Sequence, residues 1–274
     1  MGFRRRAGAS VFDSEVQTFM NNFFVTKRIH RFFNNGKIEE IDDDIIGEFR
    51  LLIRIDNQDF IHAVCTPSQI KEFVVGFLRA RGLIDSLEDI ASFDINGNIA
   101  SVTRTSRLRD FLPHLSVLES TGTKNVRAER FTLKKKMVSS GLRVPLTVLL
   151  KGMEELSRKP LYVRSGGTHC AILFSQDGNA LVSAEDIGRH NAVDKTIGGG
   201  MIKDVDFPNT WLAVSGRLPE DMVLKPLSVG ISLIASVSAP TSEGIALGER
   251  SGLTVVGFVR DGRLNCYCHP ERII

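Results

Sequence analysis

A chain of 274 residues with 42% hydrophobic and 24% charged side chains can bury a sizeable core, which excludes a disordered or low-complexity protein. A net charge of +3 is too small to indicate a nucleic-acid partner, and the apolar runs fall short of the roughly 20 residues a membrane helix needs. The four cysteines, Cys65, Cys170, Cys266 and Cys268, fit neither a zinc pattern nor a small disulfide framework, so a reduced cytoplasmic protein without a metal site is expected.

Residues 1–40 form an N-terminal extension without a clear period. Phe19, Phe23, Phe24, Phe32 and Phe33 are interleaved with Asn, Lys and Arg, which suits a short helix or a segment packed elsewhere. No nucleic-acid-binding motif accompanies them. Met1–Arg6 is basic, but no apolar signal core follows it.

Residues 41–103 read as a smaller, β-rich subdomain. Phe49, Leu51, Ile53 and Ile55 alternate, Asp56-Asn57 breaks the run, and Phe60 and Ala63 resume it, which predicts a hairpin. Thr66-Pro67-Ser68 then opens a helix, with Thr66 as the expected N-cap and Pro67 at its first position. Ile70, Phe73, Val74, Phe77 and Leu78 follow at helical spacing, ending near Gly82. Phe93–Val102 predicts a second strand pair around Asn96-Gly97.

Residues 104–144 are a basic connection. Between Arg104 and Arg143 there are ten basic residues and three acidic ones. Such a block either steers an anionic partner or is simply a solvated face. It contains Ser120-Thr121-Gly122-Thr123-Lys124.

Residues 145–274 carry the main α/β pattern. An amphipathic helix over Pro145–Ser157 leads to the stretch Ser165–Gly198. There, Gly166-Gly167-Thr168-His169 and Glu185-Asp186-Ile187-Gly188-Arg189-His190-Asn191 flank two apolar runs with Asp177-Gly178 between them. Asp-Gly at that place predicts a hairpin that brings the two polar clusters together. Strands at Trp211–Val214, Ser232–Val237, Leu253–Val259 and Leu264–Cys268 then alternate with helices at Pro219–Leu227 and Thr241–Arg250, which implies a partly parallel sheet.

Ligands of such sheets sit beyond the carboxyl ends of strands. Three clusters occupy those ends: Glu185–Asn191, Ser215-Gly216-Arg217 and Ser238-Ala239-Pro240-Thr241-Ser242. The first turn of the helix from Arg189 presents free N–H groups beside Arg189 and His190, which suits a phosphate or diphosphate. His169 and His190 are also of the type that exchanges protons near neutrality. Alternatively, these polar residues only cap helices and satisfy strand ends. Cys170 reads as a buried strand residue, and Cys266 and Cys268, two apart, are expected to share one strand face.

These motifs are similar to those of the FdhD/NarQ family of formate dehydrogenase accessory proteins. The resemblance runs from about Gly47 to the C-terminus through Thr66-Pro67, GGTHCAILF, EDIGRHNAVDK, Ser215–Arg217, Ser238–Ser242 and GFVRDGRLN at Gly257–Asn265. It implies a cytoplasmic homodimer with a three-layer, cytidine-deaminase-like core lacking that superfamily's zinc ligands. It also implies binding of molybdenum bis(molybdopterin guanine dinucleotide) as a substrate. Sulfur would come from a cysteine desulfurase, and formate dehydrogenase would receive the sulfurated cofactor. The family's cofactor-binding run matches Phe258-Val259-Arg260-Asp261-Gly262-Arg263. By position on the same edge, His169, Arg189, His190, Asn191, Ser238, Thr241 and Ser242 join the expected cofactor site.

One departure stands out. The family carries sulfur on the cysteines of a Ser-Cys-Gly-x-Cys loop, and the counterpart here places Thr121 and Lys124 at those positions. Neither side chain forms a persulfide, because that chemistry needs a thiolate. The reading therefore divides between a sulfurtransferase using another cysteine and a non-catalytic cofactor carrier. A nucleotide hydrolase or deaminase is a third possibility, disfavoured by the missing zinc ligands.

Overall fold

The structure is a computed structural model that describes residues 23–105, 137–138 and 140–274. Thr121 and Lys124 lie outside the described residues. Two compact units divide the chain, Met1–Gly47 and Glu48–Ile274.

The described part of the first unit is a two-stranded antiparallel ribbon of β1 (Phe24–Phe32) and β2 (Ile38–Ile46). The sequence suggests a helix or an irregular extension there, and the structure corrects this. Period 2 is hidden because both faces of the ribbon mix charged and apolar pairs, so neither face reads as apolar.

The second unit contains two sheets. In the first, of order β4-β3-β6-β5, two hairpins fall where the turn residues predict them: β3 (Phe49–Ile55) with β4 (Gln58–Cys65), and β5 (Ile90–Asn96) with β6 (Ile99–Arg104). Helix α1 (Ile70–Ala80) packs Phe73, Val74, Phe77 and Leu78 into the same apolar cluster as Leu51, Ile53 and Val102. Thr66 is not its N-cap. The cap is Gln69, in a left-handed conformation with φ of 52°. Thr66 is drawn away by partners about 120 residues distant in sequence, described below.

The larger sheet has the order β12-β11-β10-β9-β7-β8. Its strands are β7 (His169–Ser175), β8 (Ala180–Asp186), β9 (Thr210–Val214), β10 (Leu233–Ser236), β11 (Thr254–Arg260) and β12 (Arg263–Cys268). β9, β10 and β11 run parallel; β7 is antiparallel to β8 and β9, and β12 to β11. Five helices accompany it: α2 (Leu146–Glu154), α3 (Pro160–Ser165), α4 (Arg189–Ile202), α5 (Glu220–Val229) and α6 (Ser242–Ser251).

Alternate strand residues feed two separate cores. Ala171, Leu173, Leu212 and Val255 join Val193, Met222 and Leu247 of α4, α5 and α6. Cys170, Ile172, Ala213 and Val256 join Leu149 and Met153 of α2. Both faces of the sheet are therefore buried, as an α/β fold requires. No described helix is long and apolar enough to cross a membrane.

The expectation that Cys266 and Cys268 share a face is overturned. Val255 pairs with Cys268, but Val256 pairs with Cys266, so β12 carries an extra residue at Tyr267. This bulge reverses the alternation. Cys268 belongs to the core beneath α4–α6, and Cys266 packs against the core on the other face.

Candidate functional site

β7 starts beside the end of β8, where His169 pairs with Asp186, and beside the end of β9, where Ala171 pairs with Val214. β10 and β11 end on the same edge because they run parallel to β9. The sheet order therefore collects His169, Glu185–Asn191, Ser215–Arg217, Ser238–Ser242 and the β11–β12 turn along one rim.

Within that rim, the two acids are structural. Glu185 is buried, and its carboxylate accepts the N–H groups of Leu161 (3.0 Å) and Tyr162 (2.7 Å), capping α3. Asp186 is fully buried and holds the start of α4: its Oδ1 accepts from Gly188 N (2.8 Å) and Asn191 Nδ2 (2.9 Å). Oδ2 accepts from Thr66 N (3.0 Å) and Thr66 Oγ1 (3.1 Å), and pairs with Lys195 Nζ at 2.7 Å. Lys195 is equally buried and also donates to Thr66 Oγ1 at 2.6 Å. Asn191 Nδ2 donates in addition to Val64 O at 2.8 Å, so both its amide hydrogens are used inside the fold.

Arg189 and His169 face the end of β9. The imidazole Nδ1 of His169 lies 3.1 Å from Ser215 Oγ, which also accepts the N–H of Cys170 at 3.0 Å. The stem of Arg189 lies on Gly216, where a Cβ would meet its side chain at 2.9 Å, so any larger residue there would displace the Arg189 stem. Arg189 Nε is buried without a hydrogen-bond partner. Burial, and then the Arg189 charge, push the His169 pKa below its ordinary value.

His190 is 3% exposed, with Nε2 3.5 Å from Asp221 Oδ2 and Nδ1 unpartnered. Burial lowers its pKa to about 2, helped by the nearby charges of Lys225, Arg189 and Arg81. Below it, Asp194 pairs with Lys225 Nζ at 2.6 Å and with Arg81 at 3.6 Å. Burial, only partly opposed by Asp194, pushes Lys225 down to about 8. Arg81, Lys225 and Asp221 carry no sequence motif; only the contact of α1 and α5 with α4 finds them.

The imidazole of His190 is thus neutral at neutral pH, and this has a measurable result. Its folded pKa lies below the ordinary 6.5, so the unfolded chain binds more protons between about pH 2 and 6.5. Stability from this group is present above pH 6.5 and lost as pH falls. The loss approaches about 1.4 kcal/mol per pH unit below pH 6. Urea unfolding between pH 7 and 5 should show that slope, and His190→Gln should flatten it; an unchanged slope in the variant would place the acid sensitivity elsewhere.

The other predicted residues lie further along the rim. Thr241 caps α6, its Oγ1 accepting from Gly244 N at 3.2 Å, and Ser242 is the first residue of that helix. Ser238 accepts the N–H of Phe258 at 3.1 Å through its carbonyl. Phe258 has φ of 53°, uncommon for an aromatic residue, and the exposed Arg260 guanidinium lies 5.6 Å from its ring. Val259 is buried, Asp261 (φ 53°) and Gly262 (φ 72°) make the turn, and Arg263 opens β12.

All four thiols are held away from the thiolate. Burial pushes Cys65 and Cys170 up to about 12 and Cys268 to about 11, and it also raises Cys266. Among the described residues, no three His, Cys, Asp or Glu side chains gather as metal ligands.

Sheet order and rim together define an α/β protein whose polar residues converge at the carboxyl edge of a mixed sheet. A family model of the FdhD/NarQ family matches residues 46–274. The chain belongs to that family. It is 34% identical over 250 residues to the sulfur carrier protein FdhD of Methanothermobacter thermautotrophicus, covering 90% of this chain and 98% of the relative. It is 29% identical over 248 residues to the same-named protein of Bacillus subtilis, covering 88% and 94%. A crystal structure from Desulfotalea psychrophila, described as a formate dehydrogenase accessory protein, superposes with a TM-score of 0.74 at 26% identity. It covers 92% of this chain and all of that one.

Proposed function

We propose that the protein binds molybdenum bis(molybdopterin guanine dinucleotide) along this rim and serves the maturation of formate dehydrogenase. The observation that carries the reading is Arg189: its Nε is buried without a partner, beside the opening turn of α4, in a chain of the FdhD/NarQ family. The cofactor brings diphosphates and guanines. N–H groups at the start of α4 and the Arg189 guanidinium suit the diphosphates. Phe258 with Arg260 offers a flat face and a charge for a base or phosphate. A cytoplasmic homodimer with a cytidine-deaminase-like layering completes the reading.

Sulfur would originate from a cysteine desulfurase. A specific observation favours carriage of the cofactor over direct sulfur relay: the chain has four cysteines, and burial disfavours the thiolate at each. Cofactor binding is then the role of this chain.

Titration with GDP tests the site. Arg189→Ala and Arg260→Ala should each weaken binding about tenfold or more, the loss expected for a hydrogen bond to a charged group. Unchanged affinity in both variants would sink the site. Mass spectrometry after treatment with a cysteine desulfurase should show no persulfide on any of the four cysteines. One found on Cys266, the most accessible of them, would restore the relay.

A further inference from the structure

Ser215 follows the last residue of β9 and extends that strand's pairing with β7 by one step. Its N–H donates to Cys170 O at 3.0 Å, and its Oγ accepts the N–H of Cys170 at 3.0 Å. The side chain thus stands in for a strand carbonyl, which fixes the hydroxyl at the start of β7. The same Oγ lies 3.1 Å from His169 Nδ1.

That arrangement decides which ring nitrogen carries the proton. A serine hydroxyl has one hydrogen to donate, and its oxygen already accepts from Cys170. Among the described residues, His169 Nδ1 is the only acceptor within hydrogen-bond reach of that hydroxyl. An Nδ1–H donating to Oγ would leave the hydroxyl hydrogen without a protein partner, so Ser215 donates and Nδ1 accepts. The ring is neutral at pH 7, because burial and then the Arg189 charge hold its pKa below the ordinary 6.5 against the pull of Asp186. A neutral imidazole keeps one N–H, which is then on Nε2.

Arg189 occupies the same corner, since its stem lies on Gly216, the residue after Ser215. Its Nε is also without a partner. We propose that Ser215 is a positioning residue, which holds His169 in the Nε2–H form so that Nε2–H and the Arg189 guanidinium make a donor pair for an ionised phosphate oxygen. This rests on the reading of the rim as a diphosphate site and adds the class of group the corner takes. With donors alone on offer, the corner accepts an oxyanion and rejects the N–H edge of guanine. The other tautomer would turn a lone pair toward the phosphate.

Nitrogen-15 NMR of the histidine-labelled full chain at pH 7 reads the tautomer directly, with the His169 signals assigned by their loss in His169→Ala. Nε2 should be protonated and Nδ1 bare. GDP titration reads the role. His169→Ala should weaken binding about tenfold or more, as for a hydrogen bond to a charged group. Ser215→Ala should weaken it about two- to tenfold, the cost of ordering one side chain anew on binding. Ser215→Thr, which keeps the hydroxyl, should stay within about twofold of wild type. In the His169→Ala background, Ser215→Ala should add no more than about twofold, because it acts through the ring. A protonated Nδ1 in the wild-type chain would overturn the proposal. So would GDP affinity unchanged in His169→Ala, or a Ser215→Ala loss of equal size with and without His169. A wild-type chain that shows the Nε2–H form but binds no GDP would instead overturn the reading of the rim, and the donor role with it.

Discussion

Gly198→Ala should lower the melting temperature of the chain by about 5–10 °C, the size of shift that a net loss of two to three kcal/mol gives in a domain of this length. Alanine normally stabilises a helix interior over glycine by about 1 kcal/mol, so the opposite sign is the informative part. At this position a Cβ would lie 1.9 Å from Glu72 O and 2.7 Å from Gly76 N, both backbone atoms of α1. No rotamer change can relieve such a contact; the helices must separate. Overpacking of this kind costs about 1–3 kcal/mol and occasionally more. Gly76→Ala meets the mirror problem, 1.8 Å from Asp194 O of α4. Gly141→Ala, with nothing within 4 Å, is the control and should change stability by no more than about 0.5 kcal/mol. Thermal unfolding of the three variants decides it. A Gly198→Ala protein as stable as the wild type would mean that α1 and α4 do not pack as described.

The second large effect is expected at Lys195. Lys195→Met fills a similar volume but leaves the fully buried Asp186 carboxylate without its counter-charge. Removing one partner of a buried pair costs about 3–5 kcal/mol. Asp186→Asn should also be severe, because all five donors around it, the Lys195 ammonium included, point at oxygen and an amide NH2 must oppose at least one of them. The double variant should cost clearly less than the sum of the singles, since the uncompensated charge is gone. Denaturant unfolding of the cycle measures that coupling. Additive costs would show that the two side chains do not act as a pair.

Much of this fold is legible in the sequence, and for a physical reason. The hairpin turns are set by residues that tolerate positive φ: Asp56-Asn57, Gly97, Gly178 and Asp261-Gly262 all adopt it. The strand and helix succession after Gly200 also emerges from local periodicity. What stays hidden depends on distance or on a single extra residue. Thr66 carries a local capping signature, but its buried partners are Asp186 and Lys195, and no local rule can weigh them. The Tyr267 bulge flips Cys266 against Cys268 without any change in hydrophobic pattern. The ribbon escapes notice because its cross-strand pairing, and not its strand pattern, makes each face coherent. At the rim, His169, Arg189 and His190 are visible as unusual residue types. Asp221, Lys225 and Arg81, which set the charge around His190, are ordinary helix residues until α1 and α5 come into contact with α4.

The glycine contact between α1 and α4 also has a mechanical meaning. Backbone meets backbone there, so the two helices are keyed like cogs and neither can slide or roll alone. The lysine at 195 pins the same joint from within through Thr66 at the end of the smaller sheet. Arg189 and His190 therefore ride on a fixed bearing. The loops at 215–217 and 238–242 and the tip of β11 and β12 lie outside that joint. Helix α4 supplies the datum from which their positions are measured.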